Sequence, residues 1–403
     1  MLISSCKKTY NHETQRAVPL AATLARIEPK VPAAGITRVA DITDLDRIGI
    51  PVFSCIRPTA DDGAITVYNG KGATVEESRI SAIMEGIERY SSEIHDRKVQ
   101  LDTFEMLDGR EPVVNPKDLI LPTDTEPGHV LPWVEGWDIA NDERVLVPAQ
   151  AVFHPLPRNF RQIFRTSTNG LASGNTREEA IFHALSEVIE RDAWSLVEAC
   201  RDTGPAVTGV TDPVLADMQK KFRDAQVEVT LRDITSDIGI PTMAAVADDV
   251  LLKDPTLLTI GIGTHTSARI AAMRALTEVA QSRLTQIHGA REDTTTADLR
   301  KKMGYDRAKR INGYWFKDNG TVDYGTLRSF DSDDFATDIR FAIEALKKQG
   351  LERVIVVDLT REEIGVPVVR VIVPGLEAYA MDPERRGDRV KHAKNHRLSR
   401  AKP

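Results

Sequence analysis

The stretch Asn169-Gly-Leu-Ala-Ser-Gly174, followed by Thr176 and then by Ala184-Leu-Ser-Glu187-Val-Ile-Glu190-Arg191, decides the reading of the chain because it occurs in three versions. Glu187 and Glu190 stand 11 and 14 residues beyond Thr176. Upstream, Asn69-Gly70-Lys71-Gly72 leads to Thr74, and Glu85 and Glu88 follow at the same two offsets within Ala82-Ile-Met-Glu-Gly-Ile-Glu-Arg89. Downstream, Gly261-Ile262-Gly263 leads to Ser267, with Glu278 and Gln281 at those offsets in Ala275-Leu-Thr-Glu-Val-Ala-Gln281.

Each part of the pattern has a physical reason. Thr74 with Glu77 and Thr176 with Glu179 fit a capping box, in which hydroxyl and carboxylate satisfy orphan amides at a helix start. Ser267 has Ile270 at that offset, so the third helix is expected to have at most half a box. Glycines before a helix let backbone amides approach an anion. Residues three apart share a helix face, so each helix presents a paired acidic or amide display. Taken singly, such a helix is an ordinary solvated face, since Glu85–Arg89 and Glu187–Arg191 are favourable i,i+4 pairs. Three helices sharing loop, cap and offsets are not explained that way. Carboxylates meeting in one cavity cannot all stay ionised without a counterion, and Mg²⁺, with its hard oxygen ligands and affinity for nucleotide phosphates, is the expected one.

Outward from these helices, segments of helical period alternate with short β-rich runs, which predicts a mixed α/β fold. Helices are expected at 75–94, 177–200, 213–224, 268–288 and 333–349, the last ended by Gly350, and strands at 227–232, 257–262, 353–359 and 366–373. A hairpin is expected to join 134–139 with 144–147 across Asn141 and Asp142. Residues 289–332 are the least regular part and read as a solvated surface excursion in preference to a substrate loop. Length alone suggests two or three structural units in the 403 residues.

Composition narrows the class. Lysine and arginine number 53 against 60 acidic residues, a net −7 with only a mildly basic tail near 391–400, which argues against nucleic acid as a partner. Cys6, Cys55 and Cys200 form no CxxC, so neither a disulfide framework nor a sulfur-ligated zinc site is expected. The first ten residues carry no apolar signal core and no run is long enough to span a bilayer, so a cytoplasmic protein is expected.

The three helices, with the preceding Lys71-Gly-Ala-Thr74 and Thr168-Asn-Gly-Leu-Ala-Ser-Gly174 segments, resemble the nucleotide-binding motifs of the YcaO family. Asp358-Leu-Thr and Pro367-Val-Val-Arg370-Val-Ile-Val-Pro-Gly375-Leu-Glu377 resemble its closing strand motif, so the likeness covers about residues 65–380. It implies a YcaO-type ATP-binding fold of mixed sheets and packed helices at 65–403, with residues 1–64 as an N-terminal segment packing on it. It further implies Glu85, Glu88, Glu187 and Glu190 as Mg²⁺ ligands and Ser81, Glu179, Arg191, Gln281 and Arg283 as nucleotide contacts. Lys71 is a weaker candidate. Lys8, Arg16 and Thr23, within a segment similar to the family's opening, are expected to close over the nucleotide. Glu187, Glu190 and Arg191 are the expected catalytic groups, whereas His183 and His265 are read as packed or capping histidines.

The resemblance implies activation of a peptide backbone amide: a nucleophile adds to the carbonyl and ATP phosphorylates the resulting oxygen, chemistry that rests on positioning and charge neutralisation. The chain ends Arg397-Leu-Ser-Arg-Ala-Lys-Pro403 without the proline-rich end of azoline-forming members. It looks more like archaeal members that work with a TfuA partner and a sulfide source and thioamidate a glycine of the methyl-coenzyme M reductase large subunit. A homodimer is implied by the same resemblance. Azoline formation on Cys, Ser or Thr peptides, and a catalytically silent nucleotide-binding scaffold, are the alternatives.

Overall fold

A computed structural model describes residues 3–400 except 124, 126, 127 and 293–295. Pro403, the terminal proline noted above, lies outside the described residues. A ribbon of β1 (Tyr10–Asn11) and β2 (Gln15–Arg16) precedes helix α1 (Leu20–Ile27). Strands β3 (Arg38–Asp41), β4 (Val52–Ile56) and β5 (Val67–Lys71) form an antiparallel sheet that leads into α2 (Val75–Ser92). The division expected at 64/65 therefore passes through one hydrogen-bonded sheet. Next come β6 (Gln100–Asp102), α3 (Phe104–Asp108) and the hairpin β7 (Leu131–Asp138) with β8 (Glu143–Pro148), after which β9 (Leu171–Ser173) feeds α4 (Arg177–Cys200). The segment β10 (Ala206–Thr208), α5 (Pro213–Asp224), β11 (Glu228–Asp233), β12 (Thr242–Asp248) and β13 (Thr259–Thr264) ends in α6 (Ala268–His288). The remainder contains α7 (Thr296–Met303), α8 (Tyr305–Ile311), α9 (Gly313–Phe316), β14 (Thr321–Asp323), α10 (Phe335–Lys347), β15 (Ile355–Asp358), β16 (Val368–Ile372) and α11 (Asp388–Arg400).

Two larger sheets accompany the first. One has the order β6-β7-β15-β16-β9, with β8 on β7; the other has the order β13-β12-β11-β10-β14, antiparallel except at β10–β14. Each sheet thus contributes one strand that runs into one long helix: β5–α2, β9–α4 and β13–α6. These units close a ring. Helix α2 packs on β5 and borders β9, α4 packs on β9 and borders β13, and α6 packs on β13 and borders β5. The cores follow this plan, with apolar side chains under α2, between α4 and α10, and between α6, α5 and their sheet. Among the described residues no helix is long and apolar enough to cross a membrane.

The glycine segments expected as loops belong partly to strands. Gly70 lies in β5, and Gly261 and Gly263 lie in β13. Their role is close packing: a Cβ on Gly70 would stand 2.0 Å from the Ala82 nitrogen, and one on Gly261 2.1 Å from the Val279 nitrogen. The capping boxes form in part. Thr74 and Thr176 each accept from the amide three residues on, at 3.2 Å, whereas Ser267 makes no side-chain cap. There, His265 Nδ1 accepts from Ser267 N at 2.9 Å, a capping role for a buried histidine. Strand β12, Thr-Met-Ala-Ala-Val-Ala-Asp, escaped the sequence reading because it is buried throughout and rich in alanine, which carries no strand signature. The excursion expected at 289–332 instead holds α7, α8, α9 and β14.

Replacing Gly70 with alanine is expected to cost about 3 kcal/mol, because backbone of α2 must move to admit the methyl. Gly109→Ala, where nothing lies within 4 Å, should shift the denaturation midpoint far less. Urea unfolding of both variants checks the pair.

Candidate active site

Helix α4 forms the floor of a cavity of about 810 Å³. Glu179, His183, Glu187, Glu190, Arg191, Trp194 and Glu198 line it, and their three- and four-residue spacing makes one stripe roughly 28 Å long. Helix α2 adds Ser81, Glu85, Glu88 and Arg89, and α6 adds Arg274, Glu278 and Gln281. Strand β5 contributes Asn69 and Lys71, and the amino-terminal segment contributes Arg16 and Thr23.

The last polar residue of each repeated pattern braces the ring. Glu88 Oε2 accepts from Ser173 N of β9 at 3.0 Å, and Glu190 Oε2 accepts from Thr264 N of β13 at 3.0 Å. Gln281 Nε2 donates to the Asn69 carbonyl of β5 at 2.7 Å. An amide replaces the carboxylate in the third helix because the group it meets is an acceptor, not a donor. The other acidic position of each pattern faces cations. Arg89 donates to Glu85 at 2.9 Å from Nε, and Lys71 forms an ion pair with Glu278.

Burial makes this cluster costly to ionise. It raises Glu88 well above the ordinary carboxylate range, with Glu85 adding like-charge repulsion. Burial also raises Glu187, although Arg191 and Arg89 oppose it. Glu190 is pushed up to about 7 by burial and by the Glu278 charge. Glu278 goes the other way: despite burial, Lys71 and Arg191 hold it low. His183 is kept neutral by burial and by Arg274, whose guanidinium donates to its Nε2. Among the described residues no three ligating side chains already stand as a metal cluster; Glu85, Glu88, Glu190 and Glu278 are held by protein donors instead.

The residues expected from sequence divide into two groups. Glu85, Glu88, Glu187, Glu190, Arg191, Ser81, Gln281, Lys71, Glu179, Arg16 and Thr23 all line the cavity. Glu179 serves the opening segment as well, since its Oε2 accepts from Ala17 N at 2.9 Å and its Oε1 lies 3.7 Å from Arg16 Nε. Lys8 and Arg283 do not reach it. Lys8 Nζ is fully buried, donating to Gln15 at 2.6 Å and to the Ser332 carbonyl at 2.9 Å and pairing with Asp338. Arg283 is fully buried too, clasping Asp46 at 2.8 Å and Asp249 at 3.0 Å, where it ties the first sheet to the end of β12. The site residues expected from sequence did not include Glu278 and Arg89, although both were noted in the repeated pattern, nor Arg274 and Trp194. Glu278 occupies the same offset as Glu85 and Glu187, and Arg89 the same offset from Thr74 as Arg191 from Thr176, so both could have been found; Arg274 and Trp194 carry no such positional signal.

Residues 69–377 match the family model described as YcaO cyclodehydratase, ATP- and Mg²⁺-binding. A protein of Methanothermobacter thermautotrophicus is 51% identical over 93% of this chain and 98% of its own length. A Rhizobium leguminosarum bv. trifolii protein, described as lying in a tfuA 3′ region, is 33% identical over 90% of this chain and 88% of its own. The structure of YcaO from Methanopyrus kandleri bound with AMPPCP and Mg²⁺ superposes with a TM-score of 0.81 at 30% identity, covering 95% of this chain and 98% of that one. The ring of three strand–helix units, with its carboxylates facing one cavity, is accordingly that of a member of the YcaO family.

Proposed function

We propose that this chain is an ATP- and Mg²⁺-dependent enzyme that converts a peptide backbone amide to a thioamide, with sulfide as the nucleophile. The observation that carries the reading is the convergence of Glu85, Glu88, Glu187, Glu190 and Glu278 around Lys71 and Arg191 in one cavity. Hard oxygen donors whose ionisation is opposed by burial fit a divalent cation, which removes that opposition. Glu85, Glu88, Glu187 and Glu190 would hold Mg²⁺, which supplies charge neutralisation for a triphosphate. The Methanopyrus kandleri structure is bound with AMPPCP and Mg²⁺, which supports a nucleotide and this cation as the ligands.

The roles of the protein groups follow from their places. Arg16, Thr23, Ser81, Glu179 and Gln281 border the nucleotide, and Lys71 and Arg191 supply positive charge where the phosphoryl group is transferred. Hydrosulfide adds to the amide carbon, and the oxyanion so formed takes the γ-phosphoryl group as ADP departs. The C–O bond then breaks to release phosphate, the C–S double bond forms, and the sulfur's proton leaves with the phosphate. Glu187, Glu190 and Arg191 act by orientation and charge, and no side-chain nucleophile is needed. The proposed substrate is a glycine of the methyl-coenzyme M reductase large subunit, with a TfuA-like partner, a cytoplasmic sulfide source and a homodimeric enzyme. The 51% identity to the Methanothermobacter protein and the tfuA-region relative support this branch. Ring closure on a cysteine-containing peptide is the second reading, favoured by the word cyclodehydratase in the family's description.

Incubation with ATP, Mg²⁺, sulfide and a peptide from that glycine region should give a mass gain of one oxygen-to-sulfur exchange. Loss of one water from a cysteine peptide would support ring closure, and phosphate release without a sulfur-bearing product would defeat the thioamide reading. Glu187→Gln is expected to lower turnover about 100-fold or more while the melting temperature holds or rises, because a buried like charge is removed. Cation binding requires Glu190 as the carboxylate, so it should release protons and tighten as pH rises through about 7. Calorimetry of Mg²⁺–AMPPCP binding in buffers of differing ionisation enthalpy, between pH 6 and 8, reads that release directly; a pH-independent affinity would contradict it.

A further inference from the structure

We propose that the aromatic end of the cavity, Trp194, Trp315 and Phe316 backed by Glu198, receives the acceptor peptide in extended form, with an apolar side chain beside the reacting amide. The proposal rests on the amide-activating function above and names its substrate subsite. Along α4 the carboxylates Glu187 and Glu190 lie between Glu179 at one end and Trp194 and Glu198 at the other. A triphosphate held at the carboxylates with its base toward Arg16 and Glu179 would present its terminal phosphoryl group toward Arg191. That is where the aromatic wall begins: the Arg191 guanidinium carbon lies 5.4 Å from the Trp194 ring centre.

The wall is rigid by construction. Glu198 Oε1 accepts from Trp194 Nε1 at 2.9 Å and from Trp315 Nε1 at 3.2 Å, and its other oxygen accepts from the Tyr314 hydroxyl. Trp315 is 3% exposed and packed among Val197, Ile234, Val246 and Ile262. With both indole N–H groups committed to one carboxylate, the faces left to the cavity are apolar. Arg191 lies against the Trp194 ring and Lys309 against the Phe316 ring, and peptide backbone and an aliphatic side chain stack on the ring surface left open. Ile260 from β13 and Ala380 extend the apolar lining. An acidic residue there would place a charge against apolar rings and beside Glu198, which disfavours it.

The test uses the full-length protein and a fluorescently labelled form of the glycine-region peptide, with Mg²⁺–AMPPCP present. Peptide affinity by anisotropy and AMPPCP affinity by calorimetry are compared in wild type and Trp194→Ala, with melting curves to confirm folding. The dissociation constant of the peptide should rise about tenfold and that of the nucleotide should change less than about twofold. Trp315→Phe, which keeps an aromatic ring but loses the indole N–H and its five-membered ring, should weaken peptide binding to a smaller extent in the same direction. Replacing the apolar neighbour of the glycine by aspartate should mimic Trp194→Ala. No binding by the wild type, or unchanged peptide affinity in Trp194→Ala, overturns the proposal; so does a parallel loss of nucleotide affinity, which would give the wall to the base. Peptide binding that depends on Trp194 but yields no sulfur exchange would sink the thioamide reading and leave this subsite standing.

Discussion

Three side-chain-to-backbone hydrogen bonds, from Glu88, Glu190 and Gln281 to the next strand in turn, hold the ring of strand–helix units closed. The cavity exists because the ring is closed: each helix is pressed on its own strand through glycine contacts and tied to its neighbour's strand by a polar end. A helix that drifted outward would lose both the close packing at Gly70 or Gly261 and its side-chain hydrogen bond to the neighbouring strand.

That closure sets the electrostatics. Bringing three acidic helices together at a common centre buries more carboxylates than water would otherwise leave unhydrated. The structure offsets part of the cost with Lys71, Arg89, Arg191 and Arg274, all of which face the same cavity. The remainder shows as raised carboxyls, Glu190 at about 7 among them. Strain of this kind is relieved by a divalent cation, so the same arrangement that opposes folding of the free protein favours binding of Mg²⁺ with a polyphosphate.

Two segments outside the ring shape its ends. The opening segment is anchored by Glu179 to Ala17 N and by Lys8 to Asp338, so Arg16 and Thr23 are held at the cavity without Lys8 entering it. At the other end α9 brings Trp315 and Phe316 to α4 through Glu198. Arg283, expected at the nucleotide, stabilises the frame instead, because Asp46 and Asp249 come from separate parts of the chain and need a shared buried cation.

By itself the sequence determined the mixed α/β class, the long helices nearly to their ends, and the carboxylate pairs at a constant distance from their caps. These properties depend on local spacing, which a helix repeats every three or four residues. The match at 75–94 with Val75–Ser92, and at 177–200 with Arg177–Cys200, shows how far periodicity reaches. Only the tertiary structure decided which of two arginines in similar motifs faces the cavity. Arg191 does and Arg283 does not, because the burial of a side chain depends on which distant carboxylates fold against it. The glycine segments were misjudged for the same reason: whether glycine serves an anion or a neighbouring helix is set by what packs over it, and that partner lies elsewhere in the chain.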